Sequence, residues 1–174
     1  MKRKTSARAR MVDQSVKGEN QPMKTDKVYE AVCGRLRNIP LGEYEDEEKQ
    51  LQPYLQTEIS RALENASLDK YEIKISIGGR NKPKVDLLGT NFWPDIEIST
   101  NGEPFLAVEV KLAQKSLAGA ISGTIGQCLI YKLKYKYVIG FIKNQARINP
   151  HYNEFDARFE EMLNRMEFPL IIRS

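Results

Sequence analysis

Residues 92–112 read FWPDIEISTNGEPFLAVEVKL, and the way this stretch folds decides how the rest of the chain is read. Phe92 to Ile98 and Pro104 to Leu112 are rich in residues that favour extended backbone. Asn101-Gly102 between them is the commonest pair for a tight reverse turn, so the expectation is a β-hairpin. Side chains alternate along a strand, which sends Glu109 and Lys111 to one face and Val108 and Val110 to the other. With the turn centred on Asn101-Gly102, residue 95 pairs near residue 108. That brings Asp95 within about one residue of Glu109 on the neighbouring strand.

Two carboxylates and one ammonium gathered on a sheet are costly to bury without a use. Adjacent carboxylates repel, and a cation between them relieves the repulsion. Magnesium or manganese suits such a pair, because hard divalent ions take oxygen ligands and Mg²⁺ keeps several waters or phosphate oxygens in its shell. A further acid comes from the helical pattern between Glu47 and Asn65. There Leu51, Leu55, Ile59, Ala62 and Leu63 recur at helical spacing, and Glu58 falls in the same stripe. Glu58 therefore either turns toward the sheet or reaches solvent at the stripe's boundary. Pro53 places the start of regular helix at about Gln52. A second helix is expected from about Leu117 to Lys134, where Gln127 and Tyr131, four apart, share a face. They suit either a common ligand or an ordinary helix rim.

This order of elements resembles the PD-(D/E)xK nuclease superfamily, which includes restriction endonucleases, Holliday junction resolvases and RecB-like nucleases. The resemblance covers about residues 48–143: a helix with an acid, a strand opening Pro94-Asp95, a strand carrying Glu109-Val110-Lys111, and a helix with Gln127 and Tyr131. It implies a restriction-endonuclease-like fold and a nuclease hydrolysing phosphodiester bonds with Mg²⁺ or Mn²⁺, an endonuclease acting on DNA. By the same resemblance Asp95, Glu109, Glu58 and the carbonyl of Val110 are the metal-binding groups. Lys111 is the catalytic lysine, and Gln127 with Tyr131 position the nucleic acid. A catalytically silent nucleic-acid-binding or structural subunit and an RNA-processing nuclease are the alternative readings.

The remaining elements are expected to complete one domain over residues 28–174. A first strand is predicted at Tyr71–Ile77, a fourth at Tyr137–Ile142, a terminal helix at Glu154–Met166 and a last strand at Leu170–Arg173. The resulting order, α, three β, α, β, α, β, predicts a three-layer α/β/α arrangement around a central mixed sheet. Ala31 to Leu36 suits a short extra helix or a strand, and the acidic run Glu43 to Glu48 suits the opening of the first long helix. Residues 78–91 read as a loop or hairpin tip, in which Arg80, Lys82 and Lys84 suit either phosphate contact or an ordinary solvated turn.

Charge is unevenly placed. Residues 1–27 hold eight Lys or Arg against three Asp or Glu, a net of +5, while the whole chain is +4. The rest is near neutral, so the basicity that suits a polyanion lies in an amino-terminal tail expected to be disordered. Cys33 and Cys128 lack ligand-like spacing, which points to a reduced, cytoplasmic protein. The single histidine, His151, leaves histidine–metal nucleases and serine or cysteine triads without support. No apolar run approaches the roughly 20 residues of a membrane span, and the glycines at 119, 123 and 126 do not form a phosphate loop. A homodimer would allow two coordinated cuts.

Overall fold

A computed structural model describes residues 23–68, 73–77, 83–146, 162 and 165–174 of the chain. The chain is mixed α/β, with a five-stranded mixed sheet at its centre. Its elements are α1 (Met23–Asn38), a π-helical turn (Glu47–Leu51) running into α2 (Gln52–Asn65), β1 (Ile73–Ile77), β2 (Val85–Leu87) and β3 (Thr90–Phe92). There follow β4 (Ile96–Thr100), β5 (Glu103–Ala113), α3 (Leu117–Tyr131), β6 (Tyr137–Asn144) and β7 (Leu170–Arg173). The large sheet runs β1-β4-β5-β6-β7. β1, β4 and β5 pair antiparallel, whereas β5, β6 and β7 pair parallel. β2 and β3 form a separate two-stranded hairpin within the stretch read as loop or hairpin tip.

The local chemistry accounts for the helix boundaries. Asp46 caps the π-helical turn, its carboxylate accepting from the Lys49 amide at 2.8 Å, and Pro53, which has no N–H to continue the i→i−5 bonds of that turn, sits where the π-helical turn gives way to α2. Ser116 caps α3 by accepting from the Gly119 amide at 3.1 Å. The Ala31–Leu36 stretch is helical and lies within α1, which starts at Met23 and so takes in the last residues of the stretch read as a tail. Residues 1–22, most of the predicted terminal helix and His151 lie outside the described residues. Among the described residues no helix is long and apolar enough to cross a membrane.

The β4–β5 hairpin turns at Asn101 and Gly102 as expected, both at positive φ, 53° and 80°, but the strand expected over Phe92 to Ile98 is divided: Phe92 ends β3, residues 93–95 lie outside any strand, and β4 starts at Ile96. Its register carries one difference that matters. Ser99 lies opposite Pro104, but Ile98 lies opposite Leu106, so Phe105 is an extra residue, a β-bulge in β5. Phe105 and Leu106 accordingly both enter the same apolar cluster, together with Val108, Val110, Ile96 and Ile98. Beyond the bulge the ladder ends at Ile96–Val108, so Asp95, the residue just before β4, falls in register with Glu109 rather than with Val108. Residues directly opposite in an antiparallel pair share a face. The bulge is therefore what puts the two acids on one side of the sheet.

Two apolar clusters take alternate residues of β5. The larger joins α1, α2 and the Leu106, Val108 and Val110 side chains; the smaller holds Ala107 with Cys128, Tyr131 and Tyr135. On β6, Gly140 is the parallel partner of Glu109. A Cβ at Gly140 would come within 2.7 Å of both Thr124 Cγ2 and Leu170 Cδ1, so the bare glycine lets α3 settle against β6, the strand beside the one that carries Glu109. Gly140→Val should lower stability by about 1–3 kcal/mol through overpacking. Urea denaturation measures this, and an unchanged midpoint would show that α3 does not depend on that close approach.

Candidate active site

The site lies where β4 stops and β5 continues. In this register the backbone groups of Val108, Val110 and Leu112 face the side on which β4 lies, yet the β4 pairing ends at Ile96–Val108. The unpaired amides beyond it recruit carboxylates. Val110 N–H donates to Asp95 Oδ2 at 2.8 Å, and Leu112 N–H donates to Glu47 Oε2 at 2.5 Å. Because N–H and C=O of one strand residue leave on the same side, the Val110 carbonyl faces that same gap.

Lys111 joins the acids. Its Nζ lies 2.6 Å from Glu109 Oε1, 3.6 Å from Glu47 Oε1 and 3.8 Å from Asp95 Oδ2. Burial pulls the ammonium down, but Glu109, Asp95 and Glu47 together outweigh it and hold Lys111 above the ordinary lysine range. It is therefore a fixed positive charge rather than a proton acceptor. Burial raises the carboxyls of Asp95 and Glu47 above their ordinary range. Glu109 is fully buried, and burial followed by the neighbouring Asp95 charge pushes its carboxyl up to about 7. Three carboxylates against one ammonium leave the cluster short of positive charge.

Tyr131 holds Glu109 from the α3 side. Its hydroxyl lies 2.8 Å from the Trp93 carbonyl and 3.1 Å from Glu109 Oε2, and the residue has no exposed surface. A hydroxyl has a single proton to give. That proton is shared between the Trp93 carbonyl and Glu109 Oε2, and its donation to the carboxylate partly offsets the upward push of burial on Glu109. The tyrosine thus ties α3, the Trp93-Pro94 turn and β5 together at the acid.

The structure brings together Asp95, Glu109, Lys111 and Tyr131. Glu58 is placed elsewhere: its carboxylate is buried in ion pairs with Arg35 of α1 and Arg61 of α2, and these guanidinium hydrogen bonds hold it below the usual carboxylate range. The helical segment instead contributes Glu47, from its first turn, and Gln52, whose side chain hydrogen-bonds Asp95. Helical spacing favoured Glu58; nothing in it marks Glu47, which reaches the site because the strand edge offers an amide there. Gln127 is half-buried one turn before Tyr131 and makes no hydrogen bond to the cluster among the described residues. Lys84 pairs with Asp86 at 3.2 Å and donates to Asn91 at 3.0 Å, while Arg80 and Lys82 lie outside the described residues.

The donor set fits a hard divalent cation. Glu109 Oε1 is buried and accepts no aligned hydrogen bond, with Lys111 Nζ as its close neighbour. Among the described residues no three His, Cys, Asp or Glu side chains converge on one point. The protein would supply Asp95, Glu109 and the Val110 carbonyl, leaving the other positions to water and substrate oxygens, as Mg²⁺ prefers. No family model, curated protein or solved structure matches this chain.

A pH dependence follows for the metal-free protein. Glu109 binds its proton more tightly folded than unfolded, so its contribution is fully present below about pH 4.5 and is lost as pH rises toward 7. Glu109→Gln should flatten that fall and leave the protein more stable near neutrality by about 2 kcal/mol. Urea midpoints from pH 4.5 to 8 with a chelator test this; parallel curves for the two proteins would contradict it.

Proposed function

We propose that this chain is a Mg²⁺- or Mn²⁺-dependent nuclease that hydrolyses phosphodiester bonds, an endonuclease acting on DNA, built on a three-layer α/β/α restriction-endonuclease-like fold. The mixed strand order and the entry of alternate β5 residues into two apolar clusters support that fold reading. One observation carries the functional reading. Asp95 and Glu109 face each other across the end of a hairpin, with the Lys111 ammonium against them and an unpaired strand edge beside them.

Asp95, Glu109 and the Val110 carbonyl would hold the ion. When bound, a divalent cation activates water for in-line attack and offsets charge on the phosphoryl oxygens. The protein's own part is positional. Lys111, kept protonated by its acidic neighbours, presents a fixed positive charge to the non-bridging oxygens and strengthens their stabilisation as the pentacovalent charge builds. Glu47 holds the lysine from the helix side, and Gln52 steadies Asp95. Tyr131 is buried, so its role is to set the Glu109 side chain rather than to touch nucleic acid.

Wild type should cleave one member of a panel of linear duplex, single-stranded, four-way-junction DNA and RNA in Mg²⁺ or Mn²⁺. Asp95→Ala and Lys111→Ala should each cut at least about 100-fold more slowly while keeping the native circular dichroism spectrum. Cleavage undiminished in Asp95→Ala would refute the site. Cleavage of RNA alone would move the substrate to RNA, and no cleavage of any member would leave a binding role.

A further inference from the structure

The chain builds the same tight turn twice. At the β4–β5 hairpin it uses Asn101-Gly102, with φ of 53° and 80°; at the β2–β3 hairpin it uses Leu88-Gly89, with φ of 50° and 77°. Asparagine and glycine tolerate the left-handed region, whereas a bulky leucine there is strained. Leu88 is nonetheless held in it, and its side chain is almost wholly in water, 97% exposed, the most exposed large apolar side chain among the described residues. A turn selected only for closure would carry the Asn-Gly pair used a few residues later.

The root of this hairpin is firmly seated. Val85 is buried in the smaller apolar cluster, with Phe92 packed against it. Tyr135 donates to the Pro83 carbonyl at 3.1 Å, and Lys134 donates to the Lys84 carbonyl at 2.8 Å. Two ammonium groups thus stand at the base, one answered by Asp86, and an apolar side chain stands at the tip. From β3 the chain passes directly through Trp93-Pro94 to Asp95, seven residues from Leu88. Extended backbone of that length spans at most about 25 Å, roughly two-thirds of a turn of duplex.

We infer that Leu88 is a wedge that enters duplex DNA within about two-thirds of a turn of the scissile phosphate, inserting between neighbouring base pairs while the lysines at the hairpin base meet the backbone. Apolar side chains that part a base step and bend the duplex act in this way. The inference rests on the nuclease reading of Asp95 and Glu109. It adds the substrate class, double-stranded DNA in a distorted form, and the residue that distorts it.

Leu88→Asn separates the wedge from the fold, because asparagine suits the turn. The variant should melt at the same or a higher temperature than wild type. In an Asp95→Ala background that blocks cutting, duplexes carrying 2-aminopurine at successive positions should brighten at least twofold at one step when Leu88 is present. Leu88→Asn should abolish that signal and weaken binding about tenfold, and Leu88→Phe should restore both. If Leu88→Asn keeps the fluorescence change, or cuts duplex DNA as fast as wild type, the wedge is wrong while an Asp95-dependent nuclease stands. Failure of both proteins to bind duplex DNA also overturns the wedge, and cleavage of the other substrates then decides the nuclease reading separately. Loss of a solution dimer in Leu88→Asn with the DNA signals unchanged would overturn it in favour of contact with a second copy of the chain.

Discussion

The register between β4 and β5 is the constraint on which the site depends. Without the extra residue at Phe105, Asp95 would stand opposite Val108 and its carboxylate would enter the apolar cluster beneath the sheet. With it, Asp95 falls in register with Glu109, which Tyr131 holds from α3, while Asp95 itself accepts from the Val110 amide. A one-residue slip reverses every side chain on a strand, so register here amounts to chemistry. The bulge is fixed by burial: Phe105 packs edge-on to Tyr137 with ring centres 5.2 Å apart, and its neighbour Leu106 is fully buried.

That register also explains why the acids collect at the end of the hairpin. β4 ends while β5 continues, leaving the amides of Val110 and Leu112 without a strand partner; Asp95 and Glu47 take their place. Backbone hydrogen bonding thereby gathers negative charge that water would otherwise disperse. Lys111 offsets part of it. Burial raises the carboxyl groups, above all Glu109, where the neighbouring Asp95 charge adds to it and the buried Tyr131 hydroxyl holds the side chain in position. The cluster is a place where local stability is given up to hold three acids around one ammonium.

Much of this was legible in the sequence, and the reasons for the rest are physical. Asn101-Gly102 and the alternation around Glu109 and Lys111 specify the hairpin, since both are local rules. The bulge is not visible, because Phe105, Leu106, Ala107 and Val108 form an unbroken apolar run compatible with either register. Glu58 shares the apolar stripe of α2, but a stripe says only that a residue is buried, and its partners proved to be Arg35 and Arg61. Glu47 could be read as a helix-opening acid, a role it fills within the turn capped by Asp46; its second role depends on a strand edge 65 positions away in sequence. Gln127 and Tyr131 were legible as neighbours on a helix, yet only the packing of α3 shows that the tyrosine turns inward to Glu109 and the Trp93 carbonyl.

The central claim is that the buried acids form a cation site. Calorimetric titration of Mn²⁺ into the protein near pH 6.5, repeated in two buffers of different ionisation enthalpy, tests it most directly. The account predicts saturable binding with release of a proton from Glu109, lost in Asp95→Ala and without proton release in Glu109→Gln. Binding that is absent in the wild type, or equally tight in Asp95→Ala, would contradict it.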